Sequence, residues 1–111
     1  MTNFNLDETL FDEMQLNIIK KHIDGGYNPE SFANPKYDWT KMQVAAHAVR
    51  KGIDISKYLD TFPSEQLDLI RLGISRGLDI EQMANPAYSF DEMYHKLLIL
   101  EYNKNGKTYD R

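Results

Sequence analysis

The sequence predicts an all-α fold: a stack of about three and a half helix–short-helix repeats of about 25 residues each, forming one compact domain. Three observations lead there. Apolar residues follow helical spacing, as in Leu67, Ile70 and Ile74, with Leu69 widening the stripe. Three segments align without gaps: QLNIIKKHIDGGYNPESFANP from Gln15, KMQVAAHAVRKGIDISKYLDT from Lys41, and QLDLIRLGISRGLDIEQMANP from Gln66. Their opening residues Leu16, Met42 and Leu67, with Met93 of an incomplete fourth copy, are spaced 26, 25 and 26 apart, and Gly26, Gly52 and Gly77 keep the same period.

Residues 1–13 form an acidic leader, 14–103 the helical-repeat domain with units starting near 15, 41, 66 and 92, and 104–111 a polar, frayed tail. In each unit a long helix of about three turns comes first, and a glycine ends it because glycine takes the left-handed conformation of a helix C-cap. Arg50, Lys51 and Arg76 fall in the last turns, where cations suit the negative end of the helix dipole. Asn28, Asp54 and Asp79 are then placed to cap a second, shorter helix of one to two turns. That helix carries Phe32, Tyr58 or Met83 inward and stops at Asn34-Pro35, Asp60-Thr61 or Asn85-Pro86, since proline disfavours helix in the residue before it. Tyr37, Phe62 and Tyr88 follow each turn. Asp38 and Ser89 cap the next long helix, and Ser89 with Glu92 makes a capping box. One such unit cannot bury its own apolar face, so neighbours stack.

Composition narrows the function. The 111 residues include no cysteine, which removes disulfides, thiolate metal sites and thiol nucleophiles, and fits a cytoplasmic protein. The N-terminus lacks a secretory pattern and no run approaches the ~20 apolar residues of a membrane helix. The net charge of -4 sits at the front, in Asp7, Glu8, Asp12 and Glu13; the remainder balances. A neutral body with an acidic leader argues against non-specific phosphate binding. The acids serve solubility and the first helix start, or form a patch that docks on a basic protein.

No catalytic triad order, phosphate loop or dinucleotide fingerprint occurs, so the chain reads as no enzyme, without cofactor or metal. The histidines His22, His47 and His95 occupy different columns of the repeat; His22 falls near the core stripe and His47 is expected to be exposed. Glu92-x-x-His95 has the spacing of a di-iron motif, but such sites need two copies plus two further glutamates.

Two surface features remain. The outward column of the long helices holds Asn17, Lys20, Lys21 and Asp24, then Gln43, Ala46, His47 and Arg50, then Asp68, Arg71, Leu72 and Ser75. Aligned faces of helical repeats bind partners. The last helix places Tyr94, Leu97, Leu98 and Tyr102 in the equivalent outward columns and, with Met93, Ile99 and Leu100, is apolar nearly all round. Either the leader covers it through Phe4, Leu6, Leu10 and Phe11, or a second copy does, or another protein does.

The run Gln66-Leu67-x-x-Ile70-Arg71-x-Gly73-Ile74-x-x-Gly77-Leu78-Asp79-Ile80, then Met83-Ala84-Asn85-Pro86, resembles short helical repeats in proteins of bacterial mobile elements and phages. The second copy departs from it at Leu59-Asp60-Thr61, and the first has Lys20-Lys21-His22 where the third has Arg71-Leu72-Gly73. The resemblance implies an interaction module, and in a small acidic protein a regulator or inhibitor of host defence of the anti-CRISPR kind. The leading expectation is thus a non-catalytic protein-binding module that uses the long-helix face, the last helix or the leader, a homodimer through the last helix being one form. The alternative is a nucleic-acid-binding regulator using Lys20, Lys21, Arg50, Lys51, Arg71 and Arg76, and no membrane partner is expected.

Overall fold

Local hydrogen bonding punctuates the chain as the repeat predicts. The computed structural model describes residues 6–104, so Phe4 and the tail from 105 onward lie outside the described residues. Four α-helices, α1 (Glu13–Asp24), α2 (Trp39–Arg50), α3 (Ser64–Ser75) and α4 (Phe90–Lys104), carry the fold, with no strand among the described residues.

α1, α2 and α3 end in one motif. Gly26, Gly52 and Gly77 have φ of 89°, 74° and 72°, the region where a side chain is strained. Their N–H groups donate to the carbonyls of Ile23, Val49 and Ile74, and the following residues Tyr27, Ile53 and Leu78 donate to His22, Ala48 and Gly73 at 3.1, 2.8 and 3.0 Å. This is the Schellman pairing, which satisfies carbonyls that a helix end otherwise leaves open. At the start of the helices, Asp12 and Gln15 form a reciprocal capping box at 2.8 Å in each direction. Ser89 and Glu92 form the predicted one, and Asp38 accepts from the Lys41 N–H.

The connecting segments are shorter than predicted. Where a one- to two-turn helix is expected, single 3-10 turns occur at Ser56–Tyr58 and Ile80–Gln82, and the first copy has only a turn at 30–32. The register is nonetheless shared: Phe32, Tyr58 and Met83 each donate to the residue three before them, Pro29, Ile55 and Ile80, at 3.0 Å. The space between the capping Asx and the next Asx leaves room for one turn and no more. Asn34 and Asn85 then fold over their prolines, their side chains accepting from the N–H of Lys36 and Ala87.

Each unit is fastened to its own exit turn. The Gln15 side-chain amide donates to the carbonyls of Tyr37 at 2.6 Å and Pro35 at 3.2 Å, and Gln66 donates to Tyr88 at 2.9 Å. Lys41 fills the same column in the second unit and donates to Leu59 at 2.6 Å. Between units, the Tyr37 hydroxyl and the Lys36 ammonium both reach Asp60, and Arg76 clasps Glu101 with two bonds of 2.7 Å. The last pair joins the C-terminal ends of α3 and α4, so these helices run in the same sense.

Each long helix packs on the next, and the described body measures 52 × 27 × 17 Å. The core runs through the stack in Ile19, Phe32, Met42, Leu59, Leu67, Ile70, Met83, Met93 and Leu97, all at 1% exposure or less. The described part of the leader, from Leu6 onward, lies at the α1 end: Leu6 and Phe11 pack on the core, and Glu8 pairs with Lys20 at 3.0 Å. Asp7 caps the leader's own 3-10 turn at Glu8–Leu10. Three of the four leading acids, Asp7, Glu8 and Asp12, therefore have structural bonds. None of the four helices is long and apolar enough to cross a membrane.

Candidate functional site

Helical geometry sorts each long helix into faces. The column of Met42, Leu67 and Met93, and the one four residues later, Ala46, Arg71 and Leu97, turn back onto the preceding helix. Ile19, Ala45 and Ile70, with His22, Ala48 and Gly73, point inward and forward. What remains is a lateral face running the length of the stack: Asn17 and Lys21 of α1, Trp39, Gln43, His47 and Arg50 of α2, Asp68 and Leu72 of α3, and Tyr94, Leu98 and Tyr102 of α4.

At the middle of this face, α2 and α3 frame a groove of about 440 Å³ lined by Thr40, Gln43, Val44, His47, Arg50, Ser64, Asp68 and Arg71. Three predicted residues, His47, Arg50 and Arg71, thus meet. His47 is half-buried, not exposed as expected. Its imidazole is held below the usual histidine range, first by burial and then by the charges of Arg71, Arg50 and Lys51, with Asp68 opposing. Arg71 keeps its stem buried and its Nε donates to Asp68 at 2.8 Å. The Thr40 hydroxyl donates to Asp38. The groove therefore offers a neutral imidazole, the Gln43 amide and the Arg50 guanidinium, donors and acceptors suited to recognition.

At one end of the face, Phe90, Tyr94, Leu98 and Tyr102 recur every four residues along α4 with exposures of 43%, 46%, 43% and 42%. The Phe90 and Tyr94 rings stack at 6.3 Å and 10°. Tyr94 shares a column with Gln43 and Asp68, and Leu98 with His47 and Leu72, so the stripe faces the same side of the stack as the groove. The two surface features read separately in the sequence are one face.

Three expectations are corrected. Leu97 is 1% exposed and belongs to the core, packed toward Gly73 of α3. α4 is not apolar all round: Met93 and Leu97 are buried on one side, the stripe lies on another, and the third side mixes the exposed Glu92, His95 and Lys96 with the half-buried Ile99 and Leu100. Leu6 and Phe11 of the leader sit on the core beside α1, and Leu10 is 57% exposed, so the stripe on α4 stays uncovered among the described residues. Lys20 turns toward the leader, whereas Lys21 stays on the lateral face. Of the six basic residues read as a nucleic-acid surface, Lys20, Arg71 and Arg76 are each held by a carboxylate.

Sequence reasoning missed Trp39, Met14 and Phe90, which are exposed and lie on the same face. The available signal was a shared column: Trp39 and Phe90 each directly follow a helix cap, Asp38 and Ser89. A second groove, of about 410 Å³, opens on the short-segment side where Ala45 stands in the column of Ile19 and Ile70. Its rim groups Asn28 and Asp54 are spent on their own turns, accepting from the N–H of Glu30 and Ser56. Comparison with protein-family models, with curated proteins and with solved structures gives no match in any of the three.

Proposed function

We propose that this chain is a non-catalytic protein-binding module whose interface is the lateral face of the long helices, which runs from the His47–Arg50 groove to the stripe on α4. One observation carries the reading. Among the described residues seven large apolar side chains are exposed, and six of them, Met14, Trp39, Phe90, Tyr94, Leu98 and Tyr102, lie on this one side. Apolar side chains scattered singly are ordinary on a protein surface, but their collection on one face, rimmed by charge, is the mark of an interface. The repeat's resemblance to modules of phages and mobile elements supports a regulator or inhibitor of host machinery as the biological role.

The test is affinity capture from lysate of the source cells, with nuclease-treated controls, comparing the wild type with Trp39→Asp and Arg50→Glu. Both variants are expected to lose a protein that the wild type holds through nuclease treatment, while their helical circular dichroism is unchanged. Lys96→Glu, on the polar side of α4, is expected to keep it. Retention by both face variants would discard the reading, and loss of the captured material with nuclease would replace it with nucleic-acid binding through Lys21, Arg50 and Lys51.

A further inference from the structure

We infer that the stripe on α4 seats a second copy of the chain in an antiparallel, two-fold helix pair, which leaves the His47–Arg50 grooves of both copies open for the partner. This rests on reading the lateral face as an interface and assigns one end of it. Four features lead there.

The first is the surface of α4 itself. The columns of Ile18, Val44 and Leu69 and of Ile19, Ala45 and Ile70, apolar throughout α1 to α3, hold His95 and Lys96 in α4. The column of His22, Ala48 and Gly73 keeps an apolar residue in the half-buried Ile99, so the change is to the polar groups of His95 and Lys96. A further helix would have to bury these polar groups, so copies do not add end to end through this side. Open-ended growth is thereby disfavoured relative to a closed two-fold contact. The second is spacing. Phe90, Tyr94, Leu98 and Tyr102 sit at equal intervals, so an antiparallel copy crossing at the height of Lys96 sets Phe90 against the partner copy's Tyr102 position and Tyr94 against its Leu98 position. Every apolar side chain then meets another.

Charge supplies the orientation. The first turn of α4 carries Asp91 and Glu92, and the last turn carries Lys104. Glu101, near that end, is already neutralised by Arg76 at 2.7 Å. An antiparallel pair brings acidic ends beside basic ones and opposes the helix dipoles, whereas a parallel pair sets acid on acid. The last feature is area. Four side chains exposed to about two-fifths present on the order of 350 Å² per copy, given that aromatic residues bury about 150–250 Å² when fully covered. Doubled, and taken as about 60% of the contact, this gives about 1,200 Å² in total, the low end of a specific interface. The pair is therefore reversible, dissociating at about micromolar concentration.

Sedimentation equilibrium from micromolar to near-millimolar concentration tests this. The wild type is expected to pass from monomer to dimer, and Leu98→Asp to remain monomeric with unchanged circular dichroism, its dissociation constant raised by at least about a hundredfold. Because the chain has no cysteine, orientation is read by cross-linking. Tyr94→Cys mixed with Leu98→Cys is expected to form a mixed disulfide faster than either variant alone forms its own. A wild type monomeric throughout, a dimer that survives Leu98→Asp, or preferential self-cross-linking of each single variant overturns the inference. If the wild type is monomeric and Leu98→Asp nonetheless loses the captured protein, the stripe belongs to a foreign partner: the second copy is refuted and the proposed function stands.

Discussion

Gly73→Ala separates helix propensity from packing, because the two act on it with opposite signs. Gly73 is buried inside α3, in the column of His22 and Ala48. On propensity alone, alanine stabilises a helix by about 0.8–1.0 kcal/mol over glycine. A Cβ built at Gly73, however, lies 2.6 Å from Cγ2 of Ile80, 3.4 Å from Cδ1 of Leu97 and 3.6 Å from Sδ of Met83. The first distance is far inside the ordinary carbon contact of about 3.5–4.0 Å. Ile80 is β-branched and 7% exposed, so it has no free rotamer to swing into and the turn that carries it must move. Such overpacking costs about 1–3 kcal/mol, which outweighs the propensity gain and leaves a net loss of about 1 kcal/mol. Ala48 is accommodated in the same column of α2, so the clash belongs to the seat of Ile80 and not to the column. Urea unfolding followed by circular dichroism measures the change. Adding Ile80→Ala to Gly73→Ala is expected to cost less than the sum of the two, by about 1 kcal/mol. A Gly73→Ala protein more stable than the wild type would show that the approach of Ile80 does not select the glycine.

Three further outcomes follow from the packing. His22 is buried, and that burial, then the charge of Arg50, holds its pKa below the usual 6.5, although a hydrogen bond with the Asn28 backbone opposes the shift. The contribution of His22 is complete above pH 6.5 and is lost as pH falls toward its folded value, with a slope of at most about 1.4 kcal/mol per pH unit. His47 titrates with the same sign, so the wild type is compared with His22→Leu; parallel stability curves between neutral and mildly acidic pH contradict the assignment. Leu97→Ala is expected to destabilise by about 2–5 kcal/mol and Leu98→Ala by about 0.5 kcal/mol or less in dilute monomer, and equal losses in urea titrations refute the division of the two residues between core and surface. Gln15→Ala removes two bonds to the exit turn and half of a capping box and is expected to cost about 2 kcal/mol, with a loss under half of that showing that the fastening is replaced by water.

The long helices, their glycine ends and the Asn-Pro turns were legible because each is decided within a few residues: a 3.6-residue apolar period, a left-handed cap, a proline that stops what precedes it. The short helices were overdrawn, since only the distance from Asx to Asx separates a helix from a single 3-10 turn. Leu97 was misplaced for a more instructive reason. Its column holds Lys20, Ala46 and Arg71, and two charged residues in three made it read as outward. Lys20 meets the leader at the end of the stack, and Arg71 buries its stem while its guanidinium reaches Asp68, so polar identity there concealed an inward direction. The groove was half legible: His47, Arg50 and Arg71 were named, but that they converge depends on how α2 lies on α3, which no local pattern specifies.

Comparing columns instead of residues gives α4 its meaning. Relative to α1, α2 and α3, it changes in two directions at once. Two columns that are apolar in the earlier helices become His95 and Lys96, while lateral columns that hold Asn17, Gln43 and Asp68, or Lys21, His47 and Leu72, become Tyr94 and Leu98. Were the apolar residues of α4 only surplus core, they would lie in the forward columns, where a missing neighbour exposes them. Ile99 does so and is half-buried, but the exposed Phe90, Tyr94, Leu98 and Tyr102 lie at right angles to the stacking direction, on the side that also carries Trp39, Met14 and the groove. Stacking therefore does not explain them, and an interface on the lateral face does.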